Sequence, residues 1–142
     1  MLYTRGPALR RIEFTPQAPS RPQGDHPALG ALQYWLRHGV LPDADDSWSI
    51  DPAGTAFQHR VWSAMREIPA GETRSYGSLA REVNSGARAV ANACRHNPLP
   101  IVIPCHRVVA RHGLGGFSGQ TAGPAISRKV WMLRHEGGLP AR

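Results

Sequence analysis

The spacing of apolar residues changes along the chain, and each change predicts an element. Residues 1–25 are weakly patterned apart from LRRIEF at 9–14, whose alternation predicts a strand with Ile12 and Phe14 on one face. The four prolines of TPQAPSRPQGDHP predict a loop after it. Over 27–37 the period becomes helical: Ala28, Leu29, Leu32, Trp35 and Leu36 make one stripe, Pro27 suits the first turn, and Gly39 is a stop. WSI at 48–50 follows the acidic loop Asp43–Asp46 as a short strand. These elements make a small amino-terminal unit, residues 1–50, with too few strands to fold alone, and a linker near Asp51–Gly54.

From Thr55 the pattern sharpens. Thr55 and Gln58 have capping-box spacing, and Phe57, Val61, Trp62, Met65 and Ile68 share a helical face before Pro69 and Gly71. Ser75 is an N-cap for a short helix over 76–83. Asn84-Ser85-Gly86 predicts a tight turn, and Ala87, Val90, Ala91 and Cys94 line one side of a helix over 87–96. Two short helices joined at a glycine-containing turn are a helix-turn-helix candidate. Arg88, Asn92 and Arg95 share the polar side of the second, alanine-rich helix, which is slim enough to approach a nucleic-acid backbone or to pack closely on a neighbour. Leu99–Ile103 reads as a buried strand or extended segment, with a strand resuming at Val108-Val109. The glycines at 113–119 mark a loop without the spacing of a nucleotide cradle. A last helix from Pro124 shows Ile126, Val130 and Leu133 on one face and stops at Gly137.

The 142 residues bound the chain to a domain of ordinary size, and 41% hydrophobic content is enough for a core. The net charge of +7 rests on arginine, since Lys129 is the only lysine. Such charge suits phosphates and bases, or serves solubility alone. Two cysteines, Cys94 and Cys105, make no disulfide framework. With no secretory segment and no long apolar run, the expectation is a soluble cytoplasmic protein with reduced thiols and no membrane partner.

The candidate chemistry sits in IVIPCHRVV, residues 101–109. A thiol of ordinary pKa is only slightly ionised near neutrality, so a nucleophilic Cys105 needs a base or a positive field. His106 and Arg107 adjoin it. In a regular strand His106 would point away, but Pro104 breaks the ladder, so a turn and a bridging water can join the two. A basic histidine needs an orienting carboxylate. Glu13, Glu67, Glu72, Glu82, Glu136 and the aspartates are candidates, and spacing selects none of them. Cys105, His106, His112 and His96 lack the spacing of a structural zinc site.

The PCHRVV core, preceded by NPLPIVI and followed by GGFSG and LRHEG, closely resembles the O6-alkylguanine-DNA alkyltransferases, the methylated-DNA–protein-cysteine methyltransferases. GTAFQHRVW, IPAGETRSYGSLA and ARAVANACRHNP extend the resemblance, strong over 51–137 and weak over 9–50. It implies an α+β fold: a shortened strand-and-helix unit, then a mostly helical catalytic domain over 51–142 with a winged-helix-like helix-turn-helix. It implies a monomer that enters the minor groove of duplex DNA, flips out O6-alkylguanine and transfers the alkyl group irreversibly to Cys105, once per molecule, without metal or organic cofactor. In the implied site His106 is the water-bridged base, Glu136 its carboxylate, and Asn97 fixes the turn. Tyr76, Val108, Phe117, Ser118 and Cys94 lie at the substrate pocket, with Val108 contacting the base through its backbone. Arg88 fills the vacated base stack, and Tyr76, Ala87, Asn92 and Arg95 complete the DNA-binding set.

Departures from the family pattern are a short Tyr76-to-Arg88 interval, Phe117 in a tyrosine position, a long 119–125 loop, Cys94 in a methionine position and the brief amino-terminal unit. Two non-catalytic alternatives are an alkylated-base-binding relative, which carries tryptophan in place of the cysteine, and a helix-turn-helix regulator with a structural thiol.

Overall fold

The computed structural model describes residues 1–14, 25–110 and 123–138. The glycine-rich loop, Phe117 and Ser118, most of the proline-rich loop and most of 119–125 lie outside those residues.

Local pairing builds the amino-terminal layer. β1 (Leu2–Arg5) and β2 (Ala8–Ile12) are antiparallel around Gly6, and β3 (Ser49–Ile50) pairs parallel to β2, giving the order β1-β2-β3. β1 is not visible in the sequence pattern. Phe14 does not share the buried face of Ile12: the chain leaves the strand after Ile12, the alternation ends, and Phe14 is exposed under the Arg128 guanidinium. α1 (Pro27–His38) supplies the crossover from β2 to β3. Its buried residues are Ala28, Ala31, Leu32 and Trp35, whereas Leu36, expected in the stripe, faces outward.

α2 (Ala56–Arg66) begins with the expected reciprocal cap: Thr55 Oγ1 accepts from Gln58 N–H, and Gln58 Oε1 accepts from Thr55 N–H. Such caps contribute about 1 kcal/mol. Val61, Trp62, Met65 and Ile68 enter the core, and the Trp62 indole donates to Ala93 O at 2.9 Å. β4 (Arg74–Ser75) leads into α3 (Tyr76–Glu82), where Ser75 Oγ accepts from Ser78 N–H. Asn84, at φ 56°, makes the turn to α4 (Ala87–Arg95). Val90, Ala93 and Cys94 form the buried side of α4, while Ala87, expected inside, is exposed.

β5 (Val108–Val109) pairs parallel with β4. α5 (Pro124–His135) buries Ala125, Lys129, Met132 and Leu133, a face rotated from the expected one, so that Ile126 and Val130 are only half-buried. One hydrophobic cluster runs from Leu9 and Trp35 through Trp62 and Leu79 to Val90, Ile103 and Met132, so both layers share a core. No helix among the described residues is long and apolar enough to cross a membrane.

Candidate active site

The apolar segment Leu99–Ile103 is buried as expected, but it is not a strand. Pro98, Pro100 and Pro104 lack the N–H groups that a ladder needs. Asn97 folds the segment instead. Its Oδ1 accepts from Leu99 N–H at 2.9 Å, and its Nδ2 donates to Ile103 O at 2.7 Å. Ile103 N–H closes the loop on Leu99 O at 2.8 Å. Within it Ile101 takes φ 76°, a left-handed conformation unfavourable for a β-branched residue and held here by burial and the Asn97 clamp.

The clamp delivers the chain into a single 3-10 turn, Cys105–Arg107, started at Pro104. Successive side chains on such a turn do not alternate between opposite faces, so the strand objection to a Cys105–His106 pairing is removed. Both residues are buried. His106 Nε2 lies 2.7 Å from Glu136 Oε1, just after α5. The neighbouring Arg107 donates through Nε to Glu136 Oε1 at 3.0 Å, through Nη2 to Oε2 at 2.6 Å, and through Nη1 to Ile68 O at 2.6 Å. The Trp35 indole donates to Glu136 Oε2 at 2.9 Å.

These contacts fix the proton inventory. Burial pushes the Glu136 carboxyl up, but hydrogen bonds from His106 and Arg107 and their charges outweigh it and hold the group at about 2. Glu136 is therefore an acceptor at neutral pH, and His106 must carry its proton on Nε2. Burial pulls the His106 ring below the ordinary histidine value against the opposing pull of Glu136, so the neutral ring dominates. Nδ1 is then a buried lone pair with no hydrogen-bond partner among the described residues. Burial also pushes the Cys105 thiol up, opposed by the Asn97 side-chain hydrogen bond, the Lys129 charge and backbone N–H groups. Resting Cys105 is thus a protonated thiol, next along the turn to a neutral imidazole.

Tyr76 opens α3, half-buried, with its hydroxyl pushed up chiefly by burial. Cys94 faces the core from α4, 3.4 Å from Met65 Sδ, with burial the main cause of a thiol pKa near 12. Val108 O accepts from Lys129 Nζ at 2.8 Å, so this backbone carbonyl is engaged by a side chain. Ala87, Arg88, Asn92 and Arg95 are exposed on α4, apart from the buried relay.

Three participants were not singled out for the site by sequence reasoning. In the sequence Arg107 reads only as a neighbour of Cys105, Trp35 as part of an apolar stripe, and Lys129 as the lone lysine. Lys129 is fully buried, with its ammonium 5.9 Å from the centre of the Tyr76 ring. Burial lowers it to about 8, opposed by the charges of Cys105 and Cys94, so it stays mostly protonated at neutral pH. The signal available in the sequence was the position itself: Lys129 falls with Ala125, Met132 and Leu133 on the buried side of α5.

Fold and site together define the class: a small α+β domain that joins a helix pair, α3 and α4, to a buried cysteine followed by a glutamate-bound histidine. Residues 56–138 match the family model of the 6-O-methylguanine DNA methyltransferase DNA-binding domain, and the chain belongs to that family. The methylated-DNA–protein-cysteine methyltransferase of Salmonella typhimurium is 45% identical over 97 residues, covering 66% of this chain and 54% of that protein. The Mycobacterium tuberculosis methyltransferase is 47% identical over 90 residues, covering 61% and 52%. The chain thus spans about half the length of the curated relatives it matches. The crystal structure of M. tuberculosis OGT in complex with DNA superposes with a TM-score of 0.77 at 37% identity, over 96% of this chain and 84% of that one. An O6-methylguanine DNA methyltransferase from Methanococcus jannaschii gives 0.70 at 26% identity, over 100% and 90%.

Proposed function

We propose that the chain repairs DNA by accepting an alkyl group from guanine O6 onto Cys105. The observation that carries this reading is the His106–Glu136 hydrogen bond beside a buried cysteine, in a chain of the 6-O-methylguanine DNA methyltransferase family. The names of its relatives, and the DNA bound to M. tuberculosis OGT, support the substrate class.

The reaction is a single displacement. His106 Nδ1 takes the Cys105 proton, directly or through a water, while Glu136 steadies the imidazolium that forms. The thiolate sulfur attacks the alkyl carbon, the S–C bond forms as the C–O bond breaks, and the electron pair stays on the guanine. Returning the proton to the base completes neutral guanine and S-alkylcysteine. Lys129 supplies positive charge beside the developing thiolate. The thioether has no hydrolytic exit, so each chain acts once.

Access requires the base to leave the stack, at a cost of a few kcal/mol. Arg88, exposed near the start of α4, is the residue proposed to fill the gap from the minor groove, with Ala87, Asn92 and Arg95 along the same helix and Tyr76 at the flipped nucleotide. Ser118 and Phe117 complete the proposed pocket, with Val108 and Cys94. The reading includes a monomer, a cytoplasmic setting, and a division into residues 1–50 as support and 51–142 as the working domain.

Incubation with a duplex carrying radiolabelled O6-methylguanine tests this reading. Label should move to protein and saturate at one methyl per chain. Continued turnover, or no label on folded protein, overturns it.

A further inference from the structure

Glu136 accepts four hydrogen bonds, two on each oxygen, and one of them comes from the amino-terminal layer. His106 and Arg107 Nε occupy Oε1; Arg107 Nη2 and the Trp35 indole N–H occupy Oε2. The carboxylate is fully buried, so each donor fixes it in a place where water does not substitute.

Trp35 is held as firmly as the group it holds. It is 1% exposed, edge-on to the rings of Trp131 at 6.0 Å and His135 at 5.0 Å. Its carbonyl accepts from His135 Nε2 at 2.7 Å and from Gly39 N–H at 2.8 Å. Gly39 sits so close to the end of α5 that a Cβ there would lie 2.5 Å from His135 O, which only glycine avoids. The ends of α1 and α5 therefore form one rigid junction, and the indole N–H projects from it onto Glu136.

We propose that Trp35 is a positioning residue of the alkyl-transfer site: its indole N–H completes the Glu136 cradle and so fixes the orientation and basicity of His106. The amino-terminal layer thereby governs a thiol that lies some 70 residues further along the chain. This inference rests on the alkyl-transfer reading for its kinetic readout, but its geometry and its titration readout do not.

The sign of the effect follows from competition at Oε2. Without the indole donor the carboxylate holds more charge, pulls harder on His106 Nε2–H and makes the ring more basic. The other charged or titratable groups around His106 are Arg107 and Cys105 on its own turn and Lys129 on α5. α2, also packed there, contributes only Val61, Trp62 and Met65 as buried residues, none of them charged.

The test uses the full chain with Trp35→Phe, and a second form with benzothienylalanine placed at position 35, where sulfur replaces the N–H at nearly constant shape. The His106 pKa is read by NMR titration, and the rate of Cys105 alkylation by free O6-benzylguanine is followed against pH. Both forms should raise the His106 pKa and move the acid limb of the rate to higher pH. Transfer should slow on the order of tenfold, as for a misplaced catalytic group, with DNA affinity unchanged. A benzothienylalanine form with the parent His106 titration and rate profile would show that Trp35 only packs, and the proposal falls. If the parent chain itself forms no adduct, the alkyl-transfer reading fails, and the His106 titration still decides the role of Trp35.

Discussion

Cys94 and Cys105 lie in one hydrophobic cluster, and burial raises both thiols. Their surroundings differ in kind. Cys94 sits on a regular helix against Met65 Sδ, a partner that neither takes its proton readily nor stabilises its anion. Cys105 sits on a 3-10 turn between the Asn97 clamp and a neutral His106 whose other nitrogen is tied to an ionised Glu136. Burial alone makes a cysteine inert. The reactivity proposed for Cys105 rests on the histidine that follows it on the turn, an arrangement that the interrupted strand makes possible.

The widest separation of the two thiols is expected from their removal. Cys105→Ala should abolish protein alkylation by O6-benzylguanine, while Cys94→Ala should leave it near the parent level; mass-mapped adducts check this. Next, His106→Gln should slow transfer by about 10²–10⁴-fold, the span of a general base, and leave Cys94 as unreactive as before. Single-turnover rates with folding followed by circular dichroism make that measurement.

Acid sharpens the comparison differently. The Glu136 carboxyl is held at about 2 in the folded chain against an ordinary 4.5, so its contribution to stability is full above the ordinary value and lost as pH falls through the folded one. The unfolding free energy from denaturant titrations should therefore drop between those pH values, by up to about 3 kcal/mol for this group, and Glu136→Gln should flatten that slope. The smallest effect concerns the DNA side. Arg88→Ala should slow repair in duplex DNA by several-fold more than reaction with free O6-benzylguanine, and equal losses would remove Arg88 from base flipping.

Legibility in the sequence followed the range of the interactions. The Thr55–Gln58 cap, the Ser75 cap and the turn at Asn84 are local, and each stands where the spacing put it. For Leu99–Ile103 the hydrophobicity reports burial correctly, and of the two readings it allowed, strand or extended segment, the prolines forbid the strand. Glu136 could not be chosen from five glutamates and their aspartate rivals by spacing; it reaches His106 across 30 residues through the path of α5. The family resemblance named it, and the geometry brings the two together at 2.7 Å. Trp35 was legible as core but not as a hydrogen-bond donor, because its acceptor lies 101 residues away. Lys129 was hidden by the rotation of the buried face of α5 relative to its apolar stripe.

The central claim is that the thiol at Cys105, and not the one at Cys94, is a single-use alkyl acceptor. Intact-mass analysis after incubation with a duplex containing O6-methylguanine, followed by peptide mapping, tests it most directly. The account predicts one methyl per chain, carried entirely by the Cys105 peptide. A folded chain of unchanged mass, or a methyl on Cys94, would contradict it.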